Sequence, residues 1–179
     1  MYREGEEEGN LKILFVCLGN ICRSPLAEGL FKELLRREGL SERVEVGSAG
    51  TSDYHVGEPP HPGVRRLARR HGFSLALDGK RARQLSPQDV RTFDLIVAMD
   101  RSNLEEIVAM SPEARAKTRL LLDFAKAREK DVHDPYYTGD FERTYRQVEA
   151  GCRGLLEHLR GRLALERRSH RDDATPRSS

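Results

Sequence analysis

The stretch VCLGNICRS, Val16 to Ser24, places two thiols, a glycine, an asparagine and an arginine in one short loop. Five residues separate Cys17 from Arg23, and Ser24 follows. Residue types in this pattern serve an anion. Backbone N–H groups of such a loop and of the helix after it turn inward, and the helix dipole adds partial positive charge. Gly19 provides a tight backbone path, and Asn20 tolerates the left-handed conformation that a nest of N–H groups requires. Arg23 offers a planar fork matched to two oxygens of a phosphate. No Gly-Lys-Ser/Thr follows, which excludes the ATP-binding loop. Cys17 opens the cradle, opposite Arg23. Donor-rich surroundings of this kind favour a thiolate nucleophile at neutral pH. A thiolate beneath a phosphate ester is placed for in-line attack on phosphorus. The departing oxygen then needs a proton, which a carboxylic acid from elsewhere must supply. Asp134, in the segment HDPYY with Pro135 stiffening the turn after it, is the candidate.

The remaining thiols divide by their surroundings. Cys22 is either a small structural residue of the loop or a resolving thiol that traps Cys17 as a reversible disulfide. Two thiols without a matching Cys/His pair do not supply the four ligands of a zinc site. No metal and no cofactor is expected, because the cradle itself neutralises phosphoryl charge. Cys152 lies on an apolar helix stripe and is read as packing. An odd count of three cysteines without an export signal is the pattern of reduced thiols in the cytoplasm.

Elements that position these residues follow from hydrophobic spacing. KILFV (12–16) is a strand buried on both faces. Residues 25–39 form an amphipathic helix, with Ser24 as its cap, Pro25 at its first position and Gly39 ending it. A second strand is expected over 43–50, a Gly- and Pro-rich loop over 51–63 and a basic helix over 64–72. A capped turn at 86–93, a third strand at 94–99 and a helix at 101–110 follow. RLLLDF (119–124) reads as a fourth strand and 125–139 as loop. A last helix begins near Asp140, with Phe141, Tyr145, Val148, Cys152, Leu155, Leu156, Leu159 and Leu163 on one face. Alternating strands and helices imply an α/β fold: one domain with a central four-stranded parallel sheet flanked by helices. The phosphate-binding loop follows strand 1, at the carboxyl end of the sheet where ligands of such folds bind.

The whole chain has 179 residues, enough for one domain with a true core. Its expected division is an acidic arm over 1–10, a catalytic domain over 11–165 and a polar, disordered tail over 166–179. Charged residues make up 34% but the net charge is only +2, which argues against a nucleic-acid partner. No apolar run approaches the ~18 residues of a membrane span. The opening MYREGEEEGN is too acidic for a signal or transit peptide, so a cytoplasmic location is expected. The arginine-rich stretch Arg65–Arg70 reads as a solvated helix face, and His133 as a solvated loop residue.

Cys-x5-Arg-Ser between a strand and a helix, with DPYY ahead of the last helix, is a specific combination. FVCLGNICRSPLAE, GSAGT, ARQL, FDLIVAMDRSNL and HDPYYTGDFERTY follow one another in order. Through them the chain resembles the low-molecular-weight protein tyrosine phosphatases over about residues 11–164. The resemblance implies hydrolysis of phosphotyrosine and aryl phosphate monoesters through a phosphocysteine on Cys17. Arg23 would bind the phosphoryl oxygens, and Asp134 would be first general acid and then general base. Leu18, Gly19, Asn20, Ile21, Cys22 and Ser24 would form the phosphate loop, with the Ser24 hydroxyl helping to keep Cys17 ionised. Ser48 would join that hydrogen-bond network, and Asp100 would support the loop from the end of the third strand. Tyr136 and Tyr137 would wall one side of the cleft and Tyr54 the other. The implied partners are a phosphotyrosine protein substrate and inorganic phosphate, as product and competitive ligand. The implied state is a monomer, weak self-association being left open.

One departure stands in the sequence. The family often carries histidine two residues before its ARQ segment, where this chain has Lys80. His71 is no automatic replacement. Related loops also reduce arsenate, but that needs relay cysteines, and none lies between Cys22 and Cys152. Protein-arginine phosphatases place a threonine where Ile21 stands and lack the aromatic pair after Asp-Pro. Ile21 with Tyr136 and Tyr137 therefore favours an aryl phosphate. A phosphate-binding module without catalysis is the third rival, set against the presence of all three catalytic groups.

Overall fold

A computed structural model describes residues 10–174, with side chains described as far as Leu163. Four strands form one parallel sheet in the order β2-β1-β3-β4. They are β1 (Leu11–Cys17), β2 (Val44–Gly50), β3 (Leu95–Ala98) and β4 (Thr118–Leu120). β1 is central. Cys17 pairs with Gly50 at the end of β2, and Val16 pairs with Ala98 at the end of β3. Ile13, Leu14, Phe15 and Val16 are fully buried, as continuous burial of both faces requires. Strand order reverses across β1, so a crevice opens beyond the carboxyl ends of β1 and β3.

Helices cover both faces. α1 (Arg23–Arg37) and α7 (Phe141–Ala174) pack on one core with α2 (Pro62–His71). α3 (Pro87–Thr92) and α4 (Arg101–Met110) border a second core built on Leu14, Val16, Ile96 and Ile107. The apolar stripe of α7 is buried from Tyr145 to Leu163, with Cys152 at 0% exposure, in keeping with its reading as packing. His71 stacks on Tyr145 at 3.9 Å, within the α2–α7 contact. Gly72 closes α2 with φ +81, the left-handed cap expected there.

Several boundaries differ from expectation, each for a local reason. RLLLDF is a strand only at its start: β4 ends at Leu120, and Leu121–Phe124 forms a helical turn, α5. A short apolar run cannot distinguish a buried strand from a buried helical segment. Pro135–Thr138, inside the expected loop, is a helical turn, α6, that Asp134 caps by accepting from the Tyr136 N–H at 3.1 Å. α1 begins at Arg23 rather than Pro25, and Ser24 does not cap it. The Ser24 hydroxyl is engaged instead with Cys17 and Asn20. α7 continues past residue 165 to Ala174, into the stretch expected to be a disordered tail. The acidic arm, apart from Asn10, and residues 175–179 lie outside the described residues. No helix among the described residues is long and apolar enough to cross a membrane.

Candidate active site

The loop leaving β1 is drawn in by hydrogen bonds from its neighbours. Thr51 N–H donates to the Cys17 carbonyl (2.9 Å), Ser52 N–H to that of Leu18 (3.0 Å) and His61 N–H to that of Ile21 (2.8 Å). These anchors occupy the carbonyls of Cys17, Leu18 and Ile21. Among the described residues, the N–H groups of Gly19, Ile21 and Cys22 donate to no protein acceptor. Asn20 has φ 57, the left-handed turn that its type tolerates. Gly50 is required by proximity: a Cβ there would stand 2.7 Å from the Leu18 carbonyl oxygen. At Gly19 a Cβ would stand 2.8 Å from His55 Cδ2, so a side chain there would displace the His55 ring.

Cys17 lies at the floor, 3% exposed. Its Sγ accepts from the Asn20 N–H at 3.3 Å and lies 3.0 Å from Ser24 Oγ. Behind it, Asn20 Nδ2 donates to Ser24 Oγ (2.8 Å) and to Ser48 Oγ (2.9 Å). The Asn20 side-chain oxygen accepts from the Arg83 N–H at 3.0 Å, which fixes the amide's orientation. Arg23 is 4% exposed and held at several points. Nη1 donates to Asp100 Oδ2 (2.7 Å) and to the Val132 carbonyl (3.2 Å), while Nη2 lies 3.5 Å from Asp134 Oδ2. Asp100 caps α4 with its other oxygen, accepting from Asn103 N–H at 2.7 Å. Burial alone would lower the Arg23 pKa. The charge of Cys17, the Asp100 hydrogen bond and Asp134 outweigh it and hold the guanidinium above its ordinary value. Cys22, 5% exposed, is pushed up to about 12 by burial and by the charges of Cys17 and Asp134, against a smaller pull from Arg23.

One cavity of about 70 Å³ collects Cys17, Leu18, Gly19, Ile21, Cys22, Arg23, Asp134, Tyr54, Tyr136 and Tyr137. Asn20, Ser24, Ser48 and Asp100 support it from behind. Tyr54 and Tyr137 are 73% and 85% exposed, at the rim of this cavity. Tyr136 and Tyr137 meet edge to face at 4.9 Å. His55 also lines the cavity and was not legible from spacing. Its ring lies 5.5 Å from that of Tyr136, and its Nδ1 pairs with Glu58. Glu28 escaped notice as well: it lies four residues after Ser24 on α1, hence on the same helix face, and accepts from Ser48 Oγ at 2.6 Å. A narrow pocket floored by a thiol, ringed by N–H donors and one guanidinium, faced by a carboxyl and walled by tyrosines suits an aryl phosphate.

Comparison with known proteins agrees. The sequence model of the family "Low molecular weight phosphotyrosine protein phosphatase" matches residues 12–165. The low molecular weight protein-tyrosine-phosphatase YfkJ of Bacillus subtilis is 42% identical over 151 residues, spanning 83% of this chain and 96% of that one. Its crystal structure superposes with a TM-score of 0.84 over 87% of this chain and 98% of that chain. PtpA of Staphylococcus epidermidis, a protein of the same designation, is 38% identical over 149 residues, 83% of this chain and 94% of its own. DARP, a Drosophila arginine phosphatase, shares the fold with a TM-score of 0.76 and 34% identity, over 83% of this chain and 98% of that one.

Proposed function

The chain belongs to the low-molecular-weight phosphotyrosine protein phosphatases, and from that premise we propose how its residues divide the reaction. It is a phosphoric monoester hydrolase acting on phosphotyrosine through a phosphocysteine, with Cys17 as nucleophile and Asp134 as general acid and base. The phosphoryl group enters beneath the aryl ring, which lies between Tyr54 and the Tyr136–Tyr137 pair. Free loop N–H groups and Arg23 take its oxygens. The Cys17 thiolate attacks phosphorus, the P–O bond to the ring breaks, and Asp134 gives its proton to the leaving oxygen. Water then attacks the phosphocysteine, Asp134 takes a proton from it, and the P–S bond breaks to release inorganic phosphate and the thiolate. Arg23 and the N–H groups hold charge developing on the equatorial oxygens in both steps, the task that pre-oriented donors perform best.

The single observation that carries this reading is the Arg23 guanidinium. It is fixed by Asp100 at 2.7 Å and lies 3.5 Å from Asp134, above a thiol that already accepts a loop N–H. Inorganic phosphate fits the same cradle as product and competitive inhibitor. A monomeric, cytoplasmic enzyme acting on phosphotyrosine proteins completes the proposal. Because an arginine phosphatase shares the fold, the test is a panel of phosphotyrosine, phosphoserine and phosphoarginine peptides with arsenate alongside. Phosphotyrosine is expected to turn over fastest. Comparable rates on phosphoarginine would overturn the choice of substrate, and arsenate reduction with a thiol donor would overturn the choice of reaction.

A further inference from the structure

Asp134 gives its proton well only if its loop presents it at one place, and the two residues before it are tied down. Each carries one backbone N–H and one carbonyl, and every one of these groups has a partner. Val132 N–H donates to the carbonyl of Met99, just past β3, at 2.9 Å, and the Val132 carbonyl accepts from Arg23 Nη1 at 3.2 Å. His133 N–H donates to Gln147 Oε1 at 2.7 Å, and the His133 carbonyl accepts from Thr144 Oγ1 at 2.8 Å. Val132 is thus tied to the sheet and to the phosphate-binding guanidinium, while the His133 backbone is tied to α7.

Thr144 and Gln147 stand three residues apart on α7, hence side by side on one helix face. Thr144 is fully buried, where a hydroxyl needs a partner. Its other acceptor, the Asp140 carbonyl, lies farther off at 3.3 Å. Gln147 has its amide oriented by Glu129, which accepts from Nε2 and so leaves Oε1 for the His133 N–H. The His133 ring, expected to be solvated, is half-buried, with Nε2 2.6 Å from Thr138 Oγ1 across the α6 turn. Beyond this clamp the chain has little freedom. Pro135 fixes its own φ, Asp134 Oδ1 accepts from the Tyr136 N–H, and Oδ2 stands 3.5 Å from Arg23 Nη2. The place of the carboxyl therefore follows from the place of the His133 backbone.

We propose that Thr144 and Gln147 are positioning residues for the general acid: by clamping the His133 backbone to α7, they set where the Asp134 carboxyl meets the leaving oxygen. Neither lines the cavity, and neither touches the reacting atoms. The inference rests on Asp134 being the general acid. A loss independent of leaving group in Asp134→Asn would sink that assignment. A leaving-group-dependent loss there, with clamp variants that behave as wild type, would sink the clamp alone.

The experiment compares Thr144→Val, Thr144→Ser and Gln147→Met, each alone and combined with Asp134→Asn. It reads kcat/KM for phenyl phosphate, whose leaving group needs a proton, and for para-nitrophenyl phosphate, whose leaving group departs readily. Thr144→Val and Gln147→Met each remove one hydrogen bond to His133. Each is expected to lower kcat/KM for phenyl phosphate about three- to tenfold. The loss for para-nitrophenyl phosphate should stay below about twofold. The ratio of the two values is the readout, because any unfolded fraction lowers both alike and cancels. Thr144→Ser keeps the hydroxyl and should keep the wild-type ratio. Asp134→Asn has no acid proton to place, so adding a clamp variant to it should leave its ratio unchanged. A wild-type ratio in either Thr144→Val or Gln147→Met would overturn the proposal. So would a further fall of the ratio in the Asp134→Asn background, or a ratio as low in Thr144→Ser as in Thr144→Val.

Discussion

Asp100 serves two elements with its two oxygens, and the two services can be separated. Oδ1 caps α4 through the Asn103 N–H, and Oδ2 holds Arg23 Nη1, each at 2.7 Å. Serine at this position remains a good helix cap but is too short to reach Arg23. Alanine provides neither. Loss of a hydrogen bond between charged groups around a guanidinium only 4% exposed costs about 1.5–3 kcal/mol of positioning. If that energy is expressed in the transition state, kcat/KM falls about ten- to a hundredfold. Freed from Asp100, Arg23 Nη2 would settle on Asp134, now 3.5 Å away, and engage the general acid. Both variants should therefore lose the same activity toward para-nitrophenyl phosphate. They should differ in stability, because only Asp100→Ala loses the cap. That loss is about 1 kcal/mol, or about 2–4 °C in Tm for a chain of this size. Wild-type kcat/KM in Asp100→Ser would refute the role assigned to the Arg23 bond. A far larger activity loss in Asp100→Ala than in Asp100→Ser would show that Asp100 acts through α4 rather than through Arg23.

Other consequences can be checked with the same assays. Cys17→Ser should abolish turnover while vanadate or phosphate binding, followed by calorimetry, persists; residual turnover near wild type would remove Cys17 from the mechanism. Asp134→Asn keeps an oxygen to cap the Tyr136 N–H but cannot donate a carboxylic proton. It should slow hydrolysis of poor leaving groups by about 10²–10³ and of good ones far less, and a loss independent of leaving group would refute the acid assignment. Hydrogen peroxide should inactivate the enzyme by converting Cys17 to a sulfenic acid, which the Cys22 thiol attacks with loss of water to give a disulfide. After dithiothreitol, Cys22→Ser should regain a smaller share of its own untreated activity than wild type does; equal recovery would leave Cys22 without a protective role.

How far the sequence could be read depended on whether a residue's task was local. Asn20 could be assigned a left-handed turn from its type and place, and it has φ 57. Ser86 was assigned a cap from its type and place, and it closes a capping box with Asp89; Asp100, assigned only a support of the loop, caps α4 as well. The Cys17–Arg23 spacing told the chemistry because loop and first helical turn are contiguous. Ser24 shows the limit of that reasoning. Its type and place spell a cap, yet its hydroxyl lies 3.0 Å from Cys17 Sγ and accepts from Asn20 Nδ2 at 2.8 Å. RLLLDF shows another, as only tertiary packing decides whether a short apolar run extends or coils. Lys80 was visible only as a departure from a pattern, because its partners lie 32 residues away at Ser48 and farther back on α1 at Glu28. His55 left no signal at all: its place over Gly19 is set by the path of the loop from Thr51 to His61.

The two thiols of the loop share nearly the same neighbours, and their different duties follow from how those neighbours are disposed. Cys17 has the Asn20 N–H at 3.3 Å and the Ser24 hydroxyl at 3.0 Å. Cys22 has burial, Cys17 and Asp134 acting against its ionisation, and only Arg23 acting for it. A thiol pushed up to about 12 stays protonated at neutral pH. That matters for the ligand as well as for the thiol. A phosphoryl dianion entering the cradle must meet net positive potential, and one guanidinium with a ring of N–H dipoles can offset only limited negative charge. A second thiolate beneath the dianion would oppose its binding. Keeping Cys22 neutral leaves Arg23 to be shared between the substrate and one nucleophile. The same neutral thiol, in the loop wall near Cys17, remains available to react once oxidation has removed the charge from Cys17.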